Sequence, residues 1–161
     1  MSRVALPFIR EEKHGRIVNI GSVVGFVPAP YPGLYAASNH ALEGYSESLD
    51  HEVREFGIRV SVIERGFTKT KMAQNHQVVS NPLDAYGPMR GRAIEAMGKT
   101  LPMARTLAGV ATVVLQAHTS RAPRMGYLVG SDVRFVGRLR KFAPAALFDR
   151  GLRKQFGLVA A

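Results

Sequence analysis

The chain has 161 residues, 46% hydrophobic and 21% charged, which describes one folded domain with a core of its own and excludes a disordered or low-complexity chain. Its formal net charge is +10, and residues 121–161 hold nine basic and two acidic side chains against thirteen and ten in residues 1–120. There is no cysteine, which excludes disulfides, thiolate zinc sites and a cysteine nucleophile and fits a reducing cytoplasm; no run of about 18 apolar residues marks a membrane span.

In chain order, residues 1–13 predict a short amphipathic helix with Val4, Leu6, Phe8 and Ile9 as its apolar residues and Pro7 as a weak point. Charge arrives too early there for a secretory signal core. Residues 16–20 (RIVNI) form a β-branched strand, followed by a Gly- and Pro-rich loop to residue 33. A helix is predicted over 34–56, with Leu42, Tyr45, Leu49 and Val53 facing inward and Gly57 terminating it. Its carboxylates Glu43, Glu47, Asp50 and Glu52 read as a solvated face. Residues 58–63 (IRVSVI) are a second strand, and residues 67–88 are irregular. Helices follow over 89–97 and 104–119, the latter with Leu107, Val110, Ala111, Val114 and Leu115 inward, then a short strand at 127–129. From Ser131 on, one or two basic amphipathic helices are predicted, with Val133, Val136, Leu139, Phe142, Leu147, Phe148, Leu152 and Phe156 as apolar positions.

This alternation implies an α/β fold with a parallel sheet and crossover helices: a single domain, with the sheet in residues 1–130 and a helical extension in 131–161. Ile17, Val18 and Ile20 make both faces of the first strand apolar, as in a sheet covered on both sides. Three strands are few for that class, and the first edge would be unpaired, so the sequence reads as part of a larger sheet. The basic tail carries no zinc-finger spacing, aromatic RNA-binding signature or block of five cations, so nucleic acid is not an expected partner. A helical cover over a pocket or subunit interface is the expected role, with docking to an anionic membrane surface as the competing one. His14, His40, His51, His76 and His118 show no ligand spacing, and no metal site is expected.

Ser22 follows the first strand, Tyr35 opens the long helix, and Asn39 lies one turn further on the same face. Strand ends are where parallel α/β sheets hold ligands. The run over residues 15–70, with MGYLVGSD and RLRKFAPAALFDRGLRK after it, resembles the short-chain dehydrogenase/reductase family, its C-terminal half. The family pattern N-x-x-S falls on Asn19 to Ser22, Y-x-x-x-K on Tyr35 to Asn39, and P-G-x-x-x-T on Arg65 to Thr70.

The resemblance implies a partial Rossmann fold and hydride transfer between NAD or NADP and a small-molecule carbonyl or alcohol, with lipophilic substrates favoured. It implies Tyr35 as general acid/base, Ser22 as hydrogen-bond donor to the reacting oxygen, and Asn39 at the lysine position. Cofactor contacts are implied for Asn19, Tyr35, Asn39, Arg65, Gly66, Thr68 and Thr70, and a homo-oligomer through the long helix. The segment from Lys71 to Met97 matches the variable substrate lid, where Tyr86, Met89 and Met97 are candidate lining residues. Three departures stand against it. The Gly-rich T-G-x-x-x-G-x-G phosphate turn has no counterpart, so the chain is expected to lack the strands that carry it. Asn39 is neutral where a lysine would depress a tyrosine that otherwise ionises near pH 10, and neither Lys69 nor Lys71 is placed to replace it. Arg65 replaces the loop proline. These departures leave a non-catalytic remnant or binding protein as the alternative expectation.

Overall fold

The two β-branched runs form the two longer strands of the sheet in the computed structural model, which describes residues 2–70, 81, 83–100 and 104–158. Strand β1 (Gly15–Ser22) pairs in parallel with β2 (Ile58–Arg65) along its whole length, from Gly15 opposite Ile58 to Ser22 opposite Arg65. Strand β3 (Gly126–Val129) joins the other side of β2, so the order is β1–β2–β3 with β2 in the centre. Ile58, Val60, Val62 and Ile63 of β2 are fully buried, which is what a central strand covered on both faces requires. The α/β fold with a parallel sheet is therefore as the sequence reads.

Helix α1 (Ser2–Glu11) precedes β1, α2 (Gly33–Val53) crosses from β1 to β2, and α3 (Gly87–Gly98) and α4 (Leu107–Thr119) lie between β2 and β3. After β3 come α5 (Ser131–Phe142) and α6 (Ala145–Gln155). One core layer lies under α2, where Leu49 and Val53 pack on Ile58 and Val60, with Leu6 and Ile9 of α1, Ile17 and Phe56 beside them. The other lies under α4, where Val110 and Ala117 pack on Ile63, Tyr127 and Val129, with Val18, Val113 and Val114 around them. Val4 and Phe8 of α1 face outward, and so does Ile20, left 48% exposed at the sheet edge.

Two helix faces differ from the expected ones. On α4 the sheet-facing stripe is Val110, Val113, Val114 and Ala117, a regular i, i+3, i+4, i+7 set; Leu115 falls a third of a turn off it and Leu107 sits in the exposed first turn. On α2 the buried stripe is Ala36, Asn39, Ser46, Leu49, Asp50 and Val53, while Tyr45 is 48% exposed. Three of those six residues are polar, so a search for apolar periodicity settles one position away.

Asp50 is the clearest correction to the solvated-face reading of α2. Its side chain is fully buried, and its carboxylate accepts from the Val60 backbone N–H at 2.8 Å, from Arg59 Nε at 2.9 Å and from Arg54. Burial alone would raise its pKa; the bonds from Arg59, Val60 and Arg54 outweigh this and hold it down at about 2. The carboxylate thus ties the end of α2 to the start of β2. Between them Gly57 turns the chain with φ +71°, and a Cβ there would meet the Lys13 carbonyl oxygen.

Candidate active site at the strand ends

The parallel register brings the three strands to a common finish: Ser22 lies opposite Arg65, and Arg65 opposite Val129. The turn after β1, the loop after β2 and the start of α5 therefore leave the sheet side by side, at the edge where open α/β sheets bind ligands. Ser22 is extended and buried, and its Oγ accepts from the Val24 N–H at 3.5 Å, starting a single 3₁₀ turn over Val23–Gly25. Gly25 lets that turn lie against α2, for a Cβ would come 3.1 Å from Glu43 Cγ and 3.4 Å from the Asn39 carbonyl oxygen. Tyr35 stands half-buried in the first turn of that same helix.

The other candidates divide. Asn39 is buried, and its Nδ2 donates to the Tyr35 carbonyl at 2.8 Å, a bond back along the helix. Asn19 Nδ2 donates to Ser46 Oγ at 2.8 Å, so this amide ties β1 to α2. Arg65 and Thr70 are both partly buried. Gly66 lies against α5, where a Cβ would meet Val133 Cγ2 at 2.9 Å, and Thr68 Oγ1 donates to the Gly66 carbonyl at 3.2 Å. Lys69 is exposed; Lys71 and His76 lie outside the described residues. Of the proposed lid, Tyr86 is exposed and Met89 and Met97 are partly buried, and residues 71–80 and 82 also fall outside the described residues. The described histidines are exposed, and no group of three or more metal-ligating side chains occurs among the described residues.

Sequence reasoning missed two features of this edge. The first is Arg105. Its backbone joins the loop after β2, with the Lys69 N–H donating to its carbonyl and its own N–H donating to the Phe67 carbonyl, both at 2.9 Å. Its guanidinium pairs with Asp132 of α5 at 2.6 Å, across Gly130, whose φ of +109° and missing Cβ leave the space. One arginine thus fixes the loop at residues 67–69 to the start of α5.

The second is an acid pair beside Gly21. Glu43 of α2 lies beside Glu64 of β2, each is partly buried, and Glu43 Oε1 is buried without a hydrogen-bond partner among the described residues. Burial, then the neighbouring Glu43 charge, push Glu64 up to about 7, and burial raises Glu43 as well. Three glycines make room: Cβ atoms at Gly21, Gly25 and Gly126 would approach the two carboxyls at 3.2, 3.1 and 2.7 Å. That glycine set was the signal available in the sequence. Glu43 and Glu64 also line an open cavity of about 360 Å³, walled by Phe26, Leu128 and Phe142.

Known proteins agree with this architecture. The family model for short chain dehydrogenases matches residues 1–79. The 17-beta-hydroxysteroid dehydrogenase type 6 of Mus musculus is 30% identical over 159 residues, which cover 91% of this chain and 50% of the mouse protein. Among solved structures, a short-chain dehydrogenase from Streptomyces avermitilis is 25% identical with a TM-score of 0.67, covering 97% of this chain and 54% of that one. A short chain dehydrogenase/reductase from Burkholderia phymatum, solved in complex with NAD, is 25% identical with a TM-score of 0.66, covering 87% and 52%. The chain belongs to the short-chain dehydrogenase/reductase family. It spans about half the length of these relatives.

Proposed function

We propose that this chain supplies the proton-handling part of an NAD(P)-dependent oxidoreductase site acting on a lipophilic carbonyl or its alcohol. The observation that carries the reading is the common finish of the three strands, with the Ser22 hydroxyl and the helix turn bearing Tyr35 on adjoining segments. Family membership, the mouse relative named for hydroxysteroids and the Burkholderia relative holding NAD support the cofactor and substrate classes. The apolar walls of the 360 Å³ cavity suit a lipophilic substrate.

The donor set at the strand ends fits the nicotinamide end of such a cofactor. The hydroxyls of Thr68 and Thr70 and the backbone of 66–70 would hold it; Asn39 fits poorly, being neutral and already bonded to Tyr35. When bound, the nicotinamide supplies or accepts the hydride. The Tyr35 phenol gives its proton to the substrate oxygen in reduction and takes it back in oxidation. The Ser22 hydroxyl donates a hydrogen bond to that oxygen and stabilises its developing charge, the kind of interaction worth about 10²-fold or more in rate. Self-association through α2 is part of the same proposal, supported by the exposure of Leu34 and Tyr45 on one line of that helix.

The test is NAD(P)H oxidation with a panel of lipophilic ketones and aldehydes, by the polypeptide expressed from its own gene. Turnover should fall at least about 10²-fold in Tyr35→Phe. It should rise about tenfold in Asn39→Lys, which restores a cation beside the phenol. Turnover that survives Tyr35→Phe, or none with any carbonyl in either the native or the Asn39→Lys protein, would overturn the proposal.

A further inference from the structure

The inward face of the helical extension accounts for only part of its apolar content. On α5, Val133 is buried against the sheet edge and Val136 is partly buried, yet Phe135, Leu139 and Phe142 lie on the opposite side, 64%, 40% and 75% exposed. These three stand at i, i+4 and i+7, a continuous stripe along the outside of the helix. Arg134, Arg138 and Lys141, all exposed, run alongside it. Helix α6 repeats the arrangement on a smaller scale: Phe148, Leu152 and Phe156 are partly buried, while Leu147 is 63% exposed, with the exposed Arg150 and Lys154 three and seven residues further along the helix. Over residues 131–158 there are seven cations and two acids, and one of the acids, Asp132, is paired with Arg105.

We infer that α5 and α6 form a docking face for an anionic lipid surface. An outward stripe of two phenylalanines and leucines gains by leaving water, and the flanking cations gain by meeting negative headgroups; a bilayer interface offers both at once. A nucleic acid would satisfy the cations but leave the stripe in water. A second copy of the chain would cover the stripe but oppose cation to cation, with a net +5 on each side. Charge complementarity therefore selects the lipid. The cavity that Phe142, Arg138 and Lys141 help to line opens beside this face, so a lipophilic molecule dissolved in the bilayer would meet it directly.

The experiment is co-sedimentation of the full chain with vesicles of phosphatidylcholine, with or without phosphatidylglycerol. Binding is expected to the phosphatidylglycerol vesicles at low salt, to weaken as salt is raised, and to be negligible with phosphatidylcholine alone. Loss of one cation, as in Arg138→Gln, should lower the partition coefficient about fivefold. Phe135→Ser with Phe142→Ser should lower it at least about tenfold per residue, and both positions are exposed enough to leave folding intact. The chain has no tryptophan, so Phe142→Trp gives a second readout, a blue shift of indole emission when vesicles are added. No binding at low salt, binding indifferent to the serine pair, an indole emission that vesicles leave unshifted, tighter binding to duplex DNA than to vesicles, or a vesicle-independent dimer that the serine pair dissociates would each overturn the inference.

Discussion

Replacing Asp50 tests the claim that the polar stripe of α2, rather than its apolar residues, fixes that helix to the sheet. Folding lowers this carboxyl from 3.8 to about 2, nearly two units, and so stabilises the native state by about 2 kcal/mol wherever the unfolded chain is ionised. Asp50→Asn keeps the shape and an acceptor for the Val60 N–H but loses the charge, so it should cost about 2 kcal/mol. Asp50→Ala also leaves that buried N–H unbonded and Arg59 without its partner, and should cost about 4 kcal/mol. Urea titration followed by far-UV circular dichroism gives both differences. The pH dependence gives an independent check. Because the folded pKa is depressed, the stabilisation is complete above 3.8 and is lost as pH falls through about 2; the wild-type acid slope should therefore be steeper than that of Asp50→Asn. Unfolding free energies for Asp50→Ala within about 0.5 kcal/mol of wild type, or parallel acid slopes for wild type and Asp50→Asn, would refute the reasoning.

Glu64 behaves in the opposite sense. Its folded pKa is raised from 4.5 to about 7, so the native state loses stability as pH climbs between those values, and Glu64→Gln should be more stable than wild type at pH 8 by about 2–3 kcal/mol but nearly equal at pH 5; denaturation at the two pH values decides it, and equal differences at both would count against the acid pair. Two glycine substitutions should move thermal midpoints in opposite directions. Gly57→Ala combines φ +71° with a clash against the Lys13 carbonyl and should destabilise by more than about 2 kcal/mol, whereas Gly44→Ala, in open space within α2, should stabilise by about 0.5–1 kcal/mol.

Periodicity and turn residues carried the three strands, the long helix with its Gly57 stop, and the parallel order, because each rests on local chemistry that short segments already contain. The candidate site residues were marked only through resemblance: no spacing rule singles out Ser22 and Tyr35, and the turn after Ser22 lies against α2 only because position 25 is glycine. What stayed hidden needed tertiary partners. Asp50 looks like any surface carboxylate until Arg59 and the Val60 N–H are brought to it from the next strand. Glu43 likewise reads as solvent-facing until Glu64, Gly21 and Gly25 are brought against it, and Arg105 gains its meaning from an aspartate 27 residues away. The bond from the Asn39 amide to a helix carbonyl four residues back was equally invisible in the sequence.

The central position of β2 also sets how this sheet assembles. Both of its partners are parallel and distant in sequence, so pairing β1 with β2 closes a loop of about 40 residues and pairing β2 with β3 one of about 60. The entropic difference between those closures is only about 0.4 kcal/mol, too small to order the events. Ladder length decides instead: eight residue pairs join β1 to β2 and four join β2 to β3. The β1–α2–β2 unit, clamped by Asp50, is therefore the part able to condense first, and β3 with its trailing helices adds to a template already formed.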